Sequence, residues 1–376
     1  MGFIKKNSLY IHRLFCGFTG AVVDILVPVY VYASSGSVLY ALVFLLAKYF
    51  FTAFTLFLTK NFIDKNPVRF VAIHIVLLLF ANLSLLFLEI NLSGIFLSAV
   101  LFGSSEIFYT AALNVIFAVR IKNNLASVLQ IPFSEGLLAA GLILRGFLLS
   151  PDFAFLAVAA VFVLQVFSFL PLALDKQIKT LNRLYLAHES PLPYKNSKRD
   201  LFHVFLGITN AAALELLPLY LVFTQSSFEL TLSFFALAEA ARLLLTAAGK
   251  ELYLKGFYNF AVLLSALLFS ASFLSVWLAS GGVAYAFAVA AAASLPLGFV
   301  PKYSAYVGAI KRENKIHFNQ SRREIISELS KLVLPLACLA FRSFLPVLLL
   351  GAVSGLGMLA TSYNYKTVVN SSLTAE

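Results

Sequence analysis

The chain has 376 residues, of which 61% are hydrophobic and only 12% charged. A soluble surface takes about a quarter charged residues, so this composition excludes an ordinary soluble domain and points to a surface solvated by lipid. The formal charge of +11 reads as the cation bias of membrane loops rather than a nucleic-acid footprint, because the cations gather on one side of a series of apolar runs.

A helix needs about 20 apolar residues to cross the hydrocarbon. Runs bounded by charge, Gly, Pro or Ser predict spans at 12–33, 38–59, 69–90, 93–118, 126–149 and 152–174. A second set follows at 201–224, 228–249, 257–279, 282–309, 322–341 and 343–365. The first span follows Lys5, Lys6 and Arg13, contains Asp24 and is longer than a signal-peptide core, so it reads as a retained helix. Cys16 and Cys338 each lie inside an apolar run and read as small packing residues.

The second span carries Lys48, and a short turn with Asp64, Lys65 and Arg69 leads to the third. Glu106 falls within the fourth span and Glu135 within the fifth. The polar segment 175–200 opens with Ile178, Leu181, Leu184 and Leu186 set among cations, the pattern of a helix lying on the inner membrane surface. It divides the chain into an N-terminal half, 1–174, and a C-terminal half, 201–376. The second half carries Glu215 in its first span, Glu239 and Arg242 in its second, and Lys302 in its fourth. Glu328 and Lys331 fall in its fifth, and Gly351 and Gly355 form a GxxxG surface in its last, read as an internal packing face.

With the N-terminus placed inside, every loop cation except Arg342 falls on the inner side. Twelve spans with both termini in the cytoplasm follow from that asymmetry. The halves also echo each other in order. LFCGFTGAVVDILVPVYVY of the first span matches LFHVFLGITNAAALELLPLYLVF of the seventh, each with a mid-helix acid followed by P-x-Y. Leu-Ala before a charge recurs at Lys48 and Glu239, Y-[TS]-A at Tyr109 and Tyr303, and Ser-Glu at Glu135 and Glu328. Such repetition indicates duplication of a six-helix unit.

In layout the chain resembles the major facilitator superfamily of transporters. The local match is Asn61-Phe62-Ile63-Asp64-Lys65-Asn66-Pro67-Val68-Arg69, which is similar to that family's charged turn between helices two and three. Asp64, Lys65 and Arg69 supply the motif's charges, whereas Asn and Pro replace its glycines. The resemblance implies an all-α, twelve-helix monomer in two pseudo-symmetric halves that moves a small solute by alternating access. It assigns the turn to gating and implies that helices one, four, seven and ten line a central cavity.

Each ionisable residue at a bilayer centre costs about 2.5–3.5 kcal/mol on insertion scales, so these charges must face one another or water. Glu239 with Arg242, and Glu328 with Lys331, are spaced to neutralise one another along one helix face. Asp24, Glu106, Glu135, Glu215 and Lys48 have no such local partner. Asp24, Glu106 and Glu215 are therefore the leading candidates for proton or cation coupling, with an interhelical pair of Lys48 and Asp24 as the structural alternative. Lys48, Arg242 and Lys302 form a candidate clamp for an anionic solute. His74 and His203 have no metal-like companion, and no glycine loop for phosphate occurs, so no metal, cofactor or enzymatic activity is expected. Two alternatives remain open: an uncoupled translocator of lipid or apolar solutes, and a membrane-embedded lipid-modifying enzyme.

Overall fold

A computed structural model describes residues 27–63, 67–87, 91–120, 197–225, 228–255, 257–312 and 316–362, together with 163, 166 and 167. Asp24, Asp64, Lys65, Glu135 and the surface helix expected after residue 175 lie outside the described residues, as do the predicted fifth and sixth spans save those three positions. Every regular element among the described residues is helical. A helical stretch over 27–35 (α1) ends at Gly36, whose N–H donates to Tyr32 O at 2.8 Å. Then come α2 (Val38–Ile63), α3 (Pro67–Phe87) and α4 (Leu92–Arg120). At 26 residues, α2 is about 39 Å long, enough to cross the hydrocarbon.

The seventh predicted span is α5 (Ser197–Asn210), a π-helical turn (Ala211–Leu216) and α6 (Leu217–Gln225). Pro218 explains the turn. Proline has no N–H to donate, and its ring would strike the carbonyl four residues back; widening the coil relieves both, and Leu217 N–H bonds to Ala212 O instead. Next are α7 (Phe228–Leu254), α8 (Tyr258–Leu278) and α9 (Gly281–Arg312). The eleventh span, expected as one run over 322–341, is two helices: α10 (Ile316–Lys331) and α11 (Val333–Phe341). Pro335 is the cause, since its ring stands four residues beyond Lys331 and cannot continue the ladder there. The last helix is α12 (Leu345–Ser362).

These helices are turned inside out relative to a soluble protein. On α2, Lys48 is 1% exposed while Phe57 is 58% exposed, and Phe50, Phe54 and Leu58 face outward beside it. Only an apolar solvent makes that arrangement favourable. One continuous core runs from the early helices to the late ones, with Phe44 and Leu45 of α2 and Phe102 of α4 in the same cluster as Leu216, Phe273 and Leu334. Within it α2 packs on α4, α10 and α11, while α5 packs on α10 and α12. The GxxxG surface is internal: Gly351 and Gly355 of α12 lie against Phe273, Phe269 and Ser270 of α8. Ser270 Oγ donates to Ala352 O at 2.8 Å across that contact.

Among the described residues, Arg342 is the one non-glycine residue with positive φ (51°). It closes α11 with its N–H on Cys338 O, a position glycine fills without steric cost. Arg342→Gly is therefore expected to stabilise the fold by about 1 kcal/mol. A heat-unfolding comparison checks it, and a lowered midpoint would mean that the arginine side chain itself supports the fold.

Candidate functional site

Five charged side chains converge near the middle of the bundle. Lys48 Nζ of α2 donates to Glu215 Oε2 of the π turn at 3.1 Å and lies 3.3 Å from Glu106 Oε2 of α4. Lys331 Nζ, at the end of α10, pairs with Glu328 Oε1 at 2.6 Å and sits 5.4 Å above the ring of buried Tyr49. Lys331 is also within electrostatic reach of Glu106 and Glu215. The cluster thus ties α2 and α4 to the π turn and α10.

Local sequence explains each placement. Gly103 allows α4 to lie directly on α2: a Cβ there would collide with Lys48 O and stand 2.9 Å from Thr52 Oγ1. Thr52 Oγ1 donates to Lys48 O at 2.7 Å and lies 3.1 Å from Gly103 O, which fixes the register of the two helices. Glu106 follows Gly103 by three residues, so the same helix face carries it to Lys48. Gly207 does the corresponding service for α5 on α10, where a Cβ would strike Ser327 O and Ser330 Oγ. The π turn adds a residue to the coil and thereby sets the direction in which Glu215 projects.

Burial is uneven. The side chains of Lys48 and Glu215 are 2% and 4% exposed, whereas that of Glu106 is 31% exposed. Glu106 is thus the least buried member of the Lys48 trio. Behind it, His74 Nδ1 of α3 is 2.8 Å from Ser105 O and 2.9 Å from Ser105 Oγ, which locks α3 to α4 one residue from Glu106. Counting formal charges, two ammonium groups face three carboxylates.

The structure therefore brings together three of the expected site residues, Lys48, Glu106 and Glu215, and adds Glu328 and Lys331. The local Glu328–Lys331 pair is present as the spacing implied. Its second role, facing the carboxylates of other helices, needed the fold. Lys48 is held by two carboxylates, which leaves its charge committed rather than available to an anion. Arg242 is half-buried on α7, away from Lys48 in sequence and helix, and Arg69 is exposed on α3. Glu239 and Lys302 lie on α7 and α9, their side chains outside the described residues.

A cavity of about 690 Å³ opens toward one end of the bundle, within the size range of small-molecule sites. Leu42 of α2, Tyr220 of α6, Trp277 of α8, Cys338 of α11 and Leu348 of α12 contribute to its wall, and among the described residues Arg342 is its one charged lining residue. It lies toward the ends of these helices, with Leu42 six residues from Lys48 and Tyr220 five from Glu215.

With this geometry established, comparison with known proteins separates fold from sequence. No family model matches the chain, and no curated protein does so. Solved structures do. A bacterial homologue of the iron transporter ferroportin, in its outward-facing state, superposes with a TM-score of 0.67 at 12% identity, covering 96% of this chain and 99% of that one. The xylose transporter XylE from E. coli, partially occluded and inward-open, gives 0.62 at 10% identity over 96% and 97%. The E. coli fucose:proton symporter FucP gives 0.56 at 12% identity over 95% and 97%. The chain has the major facilitator fold. That twelve-helix, all-α membrane architecture is what the sequence led us to expect. The Lys48 cluster joins α2 and α4 to the π turn and α10 within that fold.

Proposed function

We propose that this protein is a secondary transporter that moves a small solute by alternating access, with the Lys48–Glu106–Glu215 cluster as its coupling site. The observation that carries the reading is a buried ammonium shared by carboxylates from both halves of a transporter fold. Such a bridge is a two-state element. With both carboxylates charged, Lys48 ties α2 to the π turn; a proton or cation arriving at Glu106 or Glu215 competes for the same oxygens and loosens the tie. Glu106, partly exposed, is the entry point. His74, Glu328 and Lys331 set the local field. Asp24 and Glu135 extend the acidic set, Glu239, Arg242 and Lys302 supply the second half's counterpart, and Asp64, Lys65 and Arg69 form the gating turn. Both termini lie in the cytoplasm and the transporter works as a monomer, without cofactor or enzymatic chemistry.

The test begins with a thermal-shift screen of the purified protein against metabolites and ions at acid and neutral pH. A ligand at 100 times its dissociation constant stabilises by about 2.7 kcal/mol. A stabilising solute is then followed into proteoliposomes containing a pH-sensitive dye. Solute entry should move protons in the wild type, and Glu215→Gln should abolish the proton signal while retaining binding. Transport indifferent to a pH gradient in both proteins would refute the coupling role.

One observation favours a second reading, an uncoupled translocator of lipid or apolar solutes: the walls of the 690 Å³ cavity are almost wholly apolar.

A further inference from the structure

The cavity has an asymmetry that its apolar walls obscure. Among the described residues, Arg342 is its one cation and no acid lines it. Tyr220 and Ser343 add hydroxyl groups, while Leu42, Phe344 and Leu348 supply a dry, largely buried wall. Arg342 also occupies the left-handed conformation that glycine would take freely. A side chain kept where the backbone disfavours one points toward function rather than folding. A guanidinium over an apolar chamber is complementary to a molecule with one anionic end and a hydrophobic body.

We infer that this cavity binds a monoanionic amphipathic organic acid, its carboxylate on Arg342 and its hydrocarbon or aromatic body against Leu42, Phe344 and Leu348. The inference takes the transporter reading as its frame and names the class of solute. The walls come from α2 in one half and from α6, α8, α11 and α12 in the other, so a bound solute spans the interface that must move. The Lys48 ammonium is held by Glu106 and Glu215 and does not line the cavity, which leaves Arg342, among the described residues, as the anionic end's partner. An apolar solute alone would need no cation there, and a dianion would find only one.

Trp277 lines the cavity and is the only tryptophan in the chain, so its fluorescence reports occupancy without any assay of transport. The protein is placed in nanodiscs of phosphatidylcholine and titrated with decanoate, and separately with decanol. Decanoate should change Trp277 emission saturably and bind roughly tenfold more tightly than decanol, the discrimination a charged hydrogen bond provides. Arg342→Gly, which suits the backbone at that position, should keep the fold and bring decanoate down to the affinity of decanol. Arg342→Lys should retain part of the preference.

Equal affinity of the wild type for decanoate and decanol would overturn the inference. So would loss of the decanoate response in nanodiscs containing phosphatidylglycerol, because the occupant would then be a membrane lipid. An unchanged preference in Arg342→Gly would overturn it as well. None of these results bears on proton coupling at Glu215, and loss of coupling with an intact decanoate preference would refute the transporter mechanism alone.

Discussion

Lys48→Ala is expected to cost about 3–5 kcal/mol of stability, the usual penalty for removing one partner of a buried ion pair. Glu215 is 3% exposed, and without Lys48 its charge would lack the bridging ammonium 3.1 Å away. Lys331 tempers the loss, because it already lies within electrostatic reach of Glu215 and Glu106; the lower end of the range is the better expectation. The informative variant is the triple change Lys48→Met, Glu106→Gln, Glu215→Gln. Replacing a buried charged cluster with neutral residues of similar volume is often neutral or stabilising, so the triple variant should unfold near the wild type while Lys48→Ala unfolds well below it. Unfolding midpoints of the three proteins in the same detergent decide this. If Lys48→Ala matches the wild type, the cluster is not the buried bridge described.

The same triple variant separates strut from switch. A strut requires only that the neutral side chains pack, and transport with its pH dependence would survive. A coupling site requires a group that exchanges charge, and solute movement would no longer drive protons. A folded triple variant with intact proton coupling would reassign the cluster to structure alone.

Much of this architecture was legible in the chain because membrane helices obey one strong rule. Every backbone polar group must be satisfied inside the segment, so apolar runs of sufficient length read as helices. Loop cations then suggested a sidedness for those helices. The acids at Glu106 and Glu215 and the cation at Lys48 stood out because an ionisable group in such a run demands a partner. What sequence did not disclose was which partner. The choice depends on the rotation of each helix about its axis, and two local devices set it. Pro218 widens the coil into a π turn at Glu215, and Pro335 breaks the eleventh span just after Lys331. Both prolines are visible in sequence, yet their effect on direction appears only once the helices are packed. Lys331 shows the difference. Its spacing from Glu328 accounted for its charge locally, and only the fold reveals that it faces carboxylates from two other helices.

Close approach at Gly103 was equally silent in the sequence, and it gives the second large effect. Alanine at an ordinary helical glycine gains about 1 kcal/mol from helix propensity. Against that, a Cβ at Gly103 collides with the backbone oxygen of Lys48, which no rotamer can move aside. Overpacking of this kind typically costs about 1–3 kcal/mol, and separating α2 from α4 also draws Glu106 away from Lys48. The expected outcome of Gly103→Ala is therefore a net loss of stability together with a weakened coupling site. Thr52→Ala should not rescue it, because the nearest obstacle is main chain rather than the threonine hydroxyl. Gly355→Ala provides the contrast: its new methyl meets Ser270 Oγ and the ring of Phe269 at 2.6 and 2.7 Å, side-chain atoms rather than main chain. Gly103→Ala should accordingly unfold below Gly355→Ala and lose proton-linked transport, whereas Gly355→Ala should keep it. A Gly103→Ala protein that unfolds at or above the wild-type midpoint would show that α2 and α4 are free to separate, and that the Lys48 cluster does not depend on their contact.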